Sequence, residues 1–385
     1  MPTNLMHASS QWKHRPADER FWSLEDMYAK ALHDKETCHE VSVKEPDRAG
    51  AMQTGVIHDE LNLLVDNEAY RVNNWSFGQL CSRVHAPAGY LAGLDDPSLV
   101  SACLNKGLAR PPEERSTGLK LFSTETGTLR AITSNRYSRL PDTAVIGKLL
   151  PLRAAGWRTP PARPRSQHEP NTRIAKPADC IPGVSLIQPG DVIAPAGLYR
   201  GDRDMFAFLI HPESVIDDGS DGGLHRGFFV TNSEVGKTSF SFMEFLFRVV
   251  CGNHIVWGAQ NVKGLKLRHV GADMPDMATG ELVCQLREYA NSSIENDRLT
   301  ISRAKNFILG KSKDEVIDWL FDKRVMSRSW AISSYTACEQ QEPLLNPRSM
   351  WGVINGMTRV SQDAVNMDQR LEIDGLAPRM LALVK

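Results

Sequence analysis

The sequence predicts an α+β protein, with a central strand-rich region of mixed or antiparallel sheet and helices at both ends. Three observations carry that reading. Residues 181–230 hold short apolar runs, at 205–210 and 228–230, separated by Gly190-Asp191, Ala196-Gly197 and the acid and glycine run 217–223. The C-terminal third changes period: Leu282, Leu286 and Tyr289 recur at helical spacing. Upstream, short helical and strand patterns alternate around polar turns.

In order, residues 1–58 read as a polar, flexible leader, with His33, Asp34, Lys35 and Glu36 close together. Leu63 and Val65 mark a strand, residues 76–84 a helix, and residues 97–107 a second helix with Pro97 at its first position, where a missing N–H costs nothing. Residues 119–132 read as a hairpin turning at Thr126-Gly127, and residues 142–150 as a helix. Prolines 160, 161, 164 and 170 deny backbone donors and helical dihedrals, so residues 158–172 form a proline-rich loop. Residues 239–250 are apolar nearly all round (Phe240, Phe242, Met243, Phe245, Leu246, Phe247) and read as a buried central helix. A helical subdomain begins at about residue 278. Ser312 and Glu315 have capping-box spacing, and a last helix enters at Pro347. Residues 314–341 read as a helical hairpin with helix-turn-helix spacing. Residues 376–385 are a tail.

The 385 residues include 45 Lys and Arg, 46 Asp and Glu and 41% hydrophobic residues, which excludes a disordered polymer and a globally basic nucleic-acid coat. The near-neutral total hides a division. Residues 1–100 carry a net charge of −6, with 9 basic and 15 acidic side chains. Residues 101–175 carry +8, with 13 basic and 5 acidic ones. Such a stretch suits phosphate neutralisation as well as an ordinary solvated face. No apolar run approaches the roughly 18–20 residues that cross a bilayer, and no secretory h-region is present, so no membrane partner is expected. Seven widely spaced cysteines, none paired as C-x-x-C, fit free thiols in the cytoplasm.

Two motifs invite chemistry. Residues 234–238 (EVGKT) resemble the end of a phosphate-binding P-loop, but Thr231 stands where that loop needs a glycine. Asp202 and Asp204 flank Arg203 before an apolar run; alternate strand positions share a face, so the two carboxylates are candidate ligands for a divalent cation.

Three longer stretches point further. They are residues 129–137 (LRAITSNRY), residues 194–257, which include APAGLY, DRDMF, RGFFVTNSEVG and FLFRVVCGNHIVW, and residues 351–362 (WGVINGMTRVSQ). Together they resemble the phage- and plasmid-like family called domain of unknown function 932, over roughly residues 59–375. The resemblance implies one extended unit carried on a mobile genetic element, and no stated activity. It assigns residues 232–236 to the family motif, leaving Lys237-Thr238 outside it. The polar positions it singles out are Arg130, Ser134, Arg136, Tyr137, Asp204, Asn232, Glu234, Arg248, Asn253, His254 and His269.

The leading functional expectation is a nucleic-acid-binding protein that prefers single-stranded DNA, as a recombination or annealing accessory. Arg130, Arg136, Arg139, Lys148, Arg153 and Arg158 would follow phosphates, with Tyr137 and Trp157 as stacking platforms. The alternative is a metal-dependent nuclease or other hydrolase, with Asp202 and Asp204 on Mg²⁺ or Mn²⁺ and Glu234 and His254 as catalytic groups. No other cofactor is called for. A third class is a protein-interaction module such as a host-defence antagonist. A homo-oligomer is compatible with all three.

Overall fold

A computed structural model describes residues 16–48, 50–110, 118–159, 161, 164, 168–181, 187–217, 223–248, 253–256, 265–342, 344–361 and 376–384. Its architecture is α+β, built on two larger sheets and a two-stranded ribbon.

The first sheet forms where short strands alternate apolar side chains toward one face. It contains β1 (His39–Val43), β2 (Gln53–Ile57), β3 (Glu60–Val65), β4 (Glu68–Val72), β5 (Leu119–Ser123) and β6 (Thr128–Ser134), in the order β1-β5-β6-β4-β3-β2. His58-Asp59 and Asp66-Asn67 each take two consecutive positive φ angles, the geometry that two-residue hairpins need. All pairings are antiparallel except β4 with β6. Leu61, Leu63, Val65, Leu121, Leu129 and Ile132 pack one face against Phe77, Leu80 and Leu104 from α2 (Asn74–Arg83) and α4 (Pro97–Leu108). α3 (Ala88–Ala92) adds Leu91. Asn73 and Ser76 form a reciprocal capping box at α2, and Asp96 caps α4 ahead of Pro97.

The described part of the acidic N-terminal stretch, from residue 16, is not a loose leader. From Leu24 it folds into α1 (Leu24–Thr37), capped by Ser23, and then β1 and β2. Leu24, Met27 and Ala31 lie one helical turn apart and enter the core beside α5 (Asp142–Leu149). The stretch's many charges mask that narrow apolar stripe.

The proline-rich segment leads through β7 (Arg173–Ile174), which pairs with β8 (Val192–Ile193), into the second large sheet. That sheet runs β13-β12-β11-β10-β9, from β9 (Leu198–Arg200), β10 (Met205–Ile216), β11 (Leu224–Asn232), β12 (Phe240–Arg248) and β13 (Asn253–Val256). β14 (Leu265–Leu267) also pairs with β12. The expected helix at 239–250 is therefore a strand. A run apolar on every side satisfies a buried strand as well as a buried helix, and the pairing of β12 with β11, β13 and β14 decides between them. The turn at 233–239 joins two strands, so EVGKT is not a P-loop, which needs a helix at that point.

Helices follow: α6 (Met274–Asn291), α7 (Ile294–Asn306), α8 (Lys313–Asp322), α9 (Arg328–Gln341), α10 (Met350–Ser361) and α11 (Leu376–Leu381). α10 starts three residues beyond Pro347 and buries Trp351, Ile354 and Met357. Gly356 lets α10 lie directly on α9, since a Cβ there would meet the Ser334 carbonyl oxygen at 1.9 Å. In the α8–α9 hairpin, Ser334 and Tyr335 are buried and Arg328 pairs with Asp318 at 2.7 Å, so those side chains serve packing. Among the described residues, no helix is long and apolar enough to cross a membrane.

If residues 24–37 belong to the core, Met27→Ala should cost about 2–5 kcal/mol, as core truncations do. Urea denaturation should show a lowered midpoint; an unchanged midpoint would mean that α1 is not part of the cooperative unit.

Candidate functional site

Arg130 owes its position to a β-bulge. Phe122 pairs with Ala131 but Ser123 pairs with Leu129, so Arg130 is the extra residue in β6. Strict alternation would put Arg130 on the same apolar face as Ile132. The bulge instead turns it toward the second sheet, where its Nη1 meets the Glu234 Oε2 at 3.2 Å and its Nη2 donates to the Asp202 carbonyl at 3.0 Å. Both side chains are almost fully buried, at 5% and 7% exposure.

Glu234 sits in the turn after β11 and serves three elements at once. Its Oε1 accepts the Asp142 N–H at 3.0 Å, a cap that Pro141 cannot supply to α5. Its Oε2 also lies 3.8 Å from Nη2 of Arg200, at the end of β9. Arg200 in turn donates from Nε to Asp142 at 2.9 Å and from Nη1 to Asp34 of α1 at 2.6 Å. Asn232 completes the set, donating to Asp142 at 2.8 Å and to the Leu140 carbonyl at 2.9 Å. Two guanidiniums thus face three carboxylates, two of them buried and the third, Asp34, partly exposed and also held by Lys30. Burial, reinforced by the Glu234 charge, raises the Asp142 carboxyl to about 6 against the pull of Arg200. Burial works against the Arg200 charge, yet Asp142, Glu234 and Asp34 together hold its pKa above the ordinary arginine value.

Two cavities flank this network. The larger, about 690 Å³, is bordered by Lys35, Lys120, Arg136 and Arg139, by the rings of Phe122 and Tyr137, and by Glu40 and Glu234. Glu40 is already engaged: Arg139 binds it at 2.7 Å and Lys120 at 3.1 Å. Its carboxyl pKa is lowered because those two partners outweigh its partial burial. Arg139 also lies 3.6 Å above the Phe122 ring and donates to the Glu234 carbonyl. Tyr137 donates to the Ser233 carbonyl at 2.7 Å and stacks on His269 with ring centroids 5.3 Å apart. Burial lowers the His269 pKa, which favours the neutral ring. The smaller cavity, about 250 Å³, lies beside Arg130 and Arg200 and reaches Lys30, Asp34 and Asp202. Cys38 borders both cavities, with Sγ 3.7 Å from Arg130.

Of the residues expected from the sequence, Arg130, Arg136, Tyr137, Arg139 and Glu234 converge on the larger cavity or the network beneath it. Others do not. Lys148, Arg153 and Arg158 are exposed and border neither cavity; Arg153 pairs with Glu25 at 2.9 Å, and Arg158 donates to the carbonyls of Arg153 and Trp157. Trp157 is no stacking platform, because its ring is buried against Phe228 and Tyr289. Asp202 and Asp204 lie in the turn between β9 and β10, one exposed and one buried, and not on one strand face. Among the described residues no group of three or more His, Cys, Asp or Glu is placed to hold a metal. His254 is in β13, but its side chain lies outside the described residues.

Sequence reasoning missed Asp34, Lys35, Glu40, Lys120, Asp142 and Arg200. The first three were assigned to a leader; the spacing of Leu24, Met27 and Ala31 was the available sign that this segment is a packed helix. Nothing local marks the others.

Residues 175–358 match the family model described as a domain of unknown function, DUF932. The chain carries a DUF932 domain. The match takes in residues 194–257 whole and the first eight residues of 351–362, and begins after residues 129–137. No characterised protein and no solved structure shows significant similarity to the chain. The DUF932 domain supplies Arg200, Asn232 and Glu234 to the network, while Asp34, Arg130 and Asp142 come from outside it. The larger cavity likewise takes its cations from residues before the DUF932 domain.

Removing one partner of a buried ion pair strands the other. Arg130→Ala and Glu234→Ala should each cost about 3–5 kcal/mol, and the double variant should cost less than their sum by about 1–3 kcal/mol. Chemical denaturation of the four proteins measures the coupling.

Proposed function

We propose that the larger cavity binds single-stranded nucleic acid, and that the protein is a cytoplasmic DNA-binding accessory of a phage or plasmid element, acting in recombination or strand annealing. The observation that carries this reading is the border of the cavity. Four cationic side chains, Lys35, Lys120, Arg136 and Arg139, surround two aromatic rings. Of the two carboxylates there, Glu40 is held by Lys120 and Arg139, and Glu234 is held by Arg130 behind the wall. A positive groove with an aromatic face is how single strands are bound without dependence on sequence: cations take the phosphates and a ring takes a base, here the half-buried Tyr137, since Phe122 is buried beneath Arg139. A volume of about 690 Å³ is of the order that receives a small ligand or a short stretch of strand. Arg136 and Lys35 are both exposed at this border and are the first phosphate contacts.

One observation favours a second reading, a hydrolase. The raised, buried carboxyl of Asp142 is the kind of group that general acid–base chemistry uses. Asp142 is 2% exposed and borders neither cavity, so the binding reading comes first.

Fluorescence anisotropy with a labelled single-stranded oligonucleotide tests the proposal. Affinity should fall steeply with salt, and Arg136→Ala or Lys35→Ala should each flatten the log–log salt slope by about 0.7, the loss of one phosphate contact. Lys148→Ala should leave the slope unchanged. Binding that ignores salt, or no binding at low salt, would overturn it. Strand cleavage in Mg²⁺ or Mn²⁺ that disappears in Glu234→Gln would install the hydrolase instead.

A further inference from the structure

A second buried charge cluster lies away from the cavities, on the helical side of the second sheet. On β11 the residues facing that side are Leu224, Arg226, Phe228 and Val230; on β12 they are Phe240, Phe242, Glu244 and Leu246. The apolar members divide between two cores. Phe228, Val230, Phe240 and Phe242 pack with Met274, Leu282 and Tyr289 of α6. Leu224 and Leu246 pack with Ile301 of α7 and with Trp351 and Ile354 of α10. Arg226 and Glu244 occupy the boundary between those cores. Arg226 is paired in register with Leu246 and Glu244 with Phe228, so the two charged residues are diagonal neighbours on one face.

The helices close over this boundary. Arg226 donates to the Ser292 carbonyl at 3.1 Å and to the Ser292 hydroxyl, beyond the end of α6. It lies 4.2 Å above the Tyr289 ring and 3.4 Å from the Asp297 carboxylate of α7. Arg226 is thus committed to the helices, and Glu244 has no hydrogen-bond partner on either oxygen although it is only 4% exposed. The Oε1 of Gln285 on α6 is equally unsatisfied. A bare carboxylate in such a place is costly, while the neutral acid is cheap. Burial pushes the Glu244 carboxyl up to about 8; Arg226 opposes the rise, and the charges of Asp297 and Glu288 add to it.

We infer that Glu244 is a proton-held latch, which keeps α6 and α7 docked on β11 and β12 while it is protonated and loosens that docking when it ionises. The neutral acid lets the two cores meet without a repelling charge beside Asp297. Ionisation places two carboxylates around one guanidinium at a polar gap between two apolar cores.

The direction of the pH effect follows from linkage. A carboxyl whose folded pKa exceeds its unfolded value of 4.5 contributes its full stabilisation below pH 4.5, and loses it as pH rises toward about 8. The folding equilibrium should weaken by about tenfold per pH unit inside that window. Asp142 titrates in part of the same range, so the test is a difference between variants. Urea denaturation of the full chain at pH 5–9 should show the wild type declining relative to Glu244→Gln, by about tenfold per pH unit up to pH 8. Parallel profiles of the two proteins would overturn the latch. Asp297→Asn gives a second reading that does not depend on the Gln variant folding: with one repelling charge removed, the decline should end at a lower pH, and an unshifted decline counts against the proposal. Amide exchange, corrected for its intrinsic pH dependence, should accelerate in α6 and α7 above pH 8 in the wild type; uniform protection across that range would also sink it.

Discussion

The Glu234 carboxylate is the point on which the site depends. It joins a bulged arginine of the first sheet, an arginine at the edge of the second and the uncapped start of α5. The side chains of Arg130, Arg200 and Glu234 are almost fully buried, and each finds its counter-charge in another element. The network therefore fixes the relation between the sheets as well as the wall of the larger cavity. Asp142 is held by Arg200 and Asn232, yet burial and the Glu234 charge raise its carboxyl. The site is electrostatically tense where it is buried and open where it meets solvent.

The same division of labour governs the basic stretch. Of its arginines, Arg130 is spent on the buried network and Arg153 on Glu25, while Arg139 is shared between Glu40 and the turn that carries Glu234. Arg136 is left at the border of the cavity, joined there by Lys35 from α1. The acidic N-terminal segment and the basic middle thus meet in ion pairs, Glu25 with Arg153 and Glu40 with Lys120 and Arg139 among them. The cationic border is the remainder.

The two charge clusters also differ in kind. Around Glu234 every carboxylate has a cationic partner within ion-pair distance. Around Glu244 one guanidinium serves two carboxylates, and neutrality has to come from a proton. Both clusters ride on β11 and β12, one beyond the β11 end and one in mid-strand, in a sheet otherwise filled by phenylalanine.

The sequence by itself determined what depends on neighbours along the chain. Capping at Asp96-Pro97, the Thr126-Gly127 hairpin, the helices at 142–149 and beyond 274, and the α+β class all follow from local hydrogen bonding, dihedral preference and period. Arg130, Arg136, Tyr137 and Glu234 were also legible, through family-like motifs, and Arg139 through the basic stretch. What only the tertiary structure decided is which surface each side chain meets. Residues 240–248 became a strand because β11, β13 and β14 offered backbone partners, and an all-round apolar run cannot choose its own period. Trp157 went to the core and Arg130 turned away from it, the latter through a single bulged residue. Lys35, Glu40, Asp142 and Arg200 joined the site from distant segments, because the energy of an ion pair depends on separation in space and dielectric surroundings, which spacing along the chain does not encode.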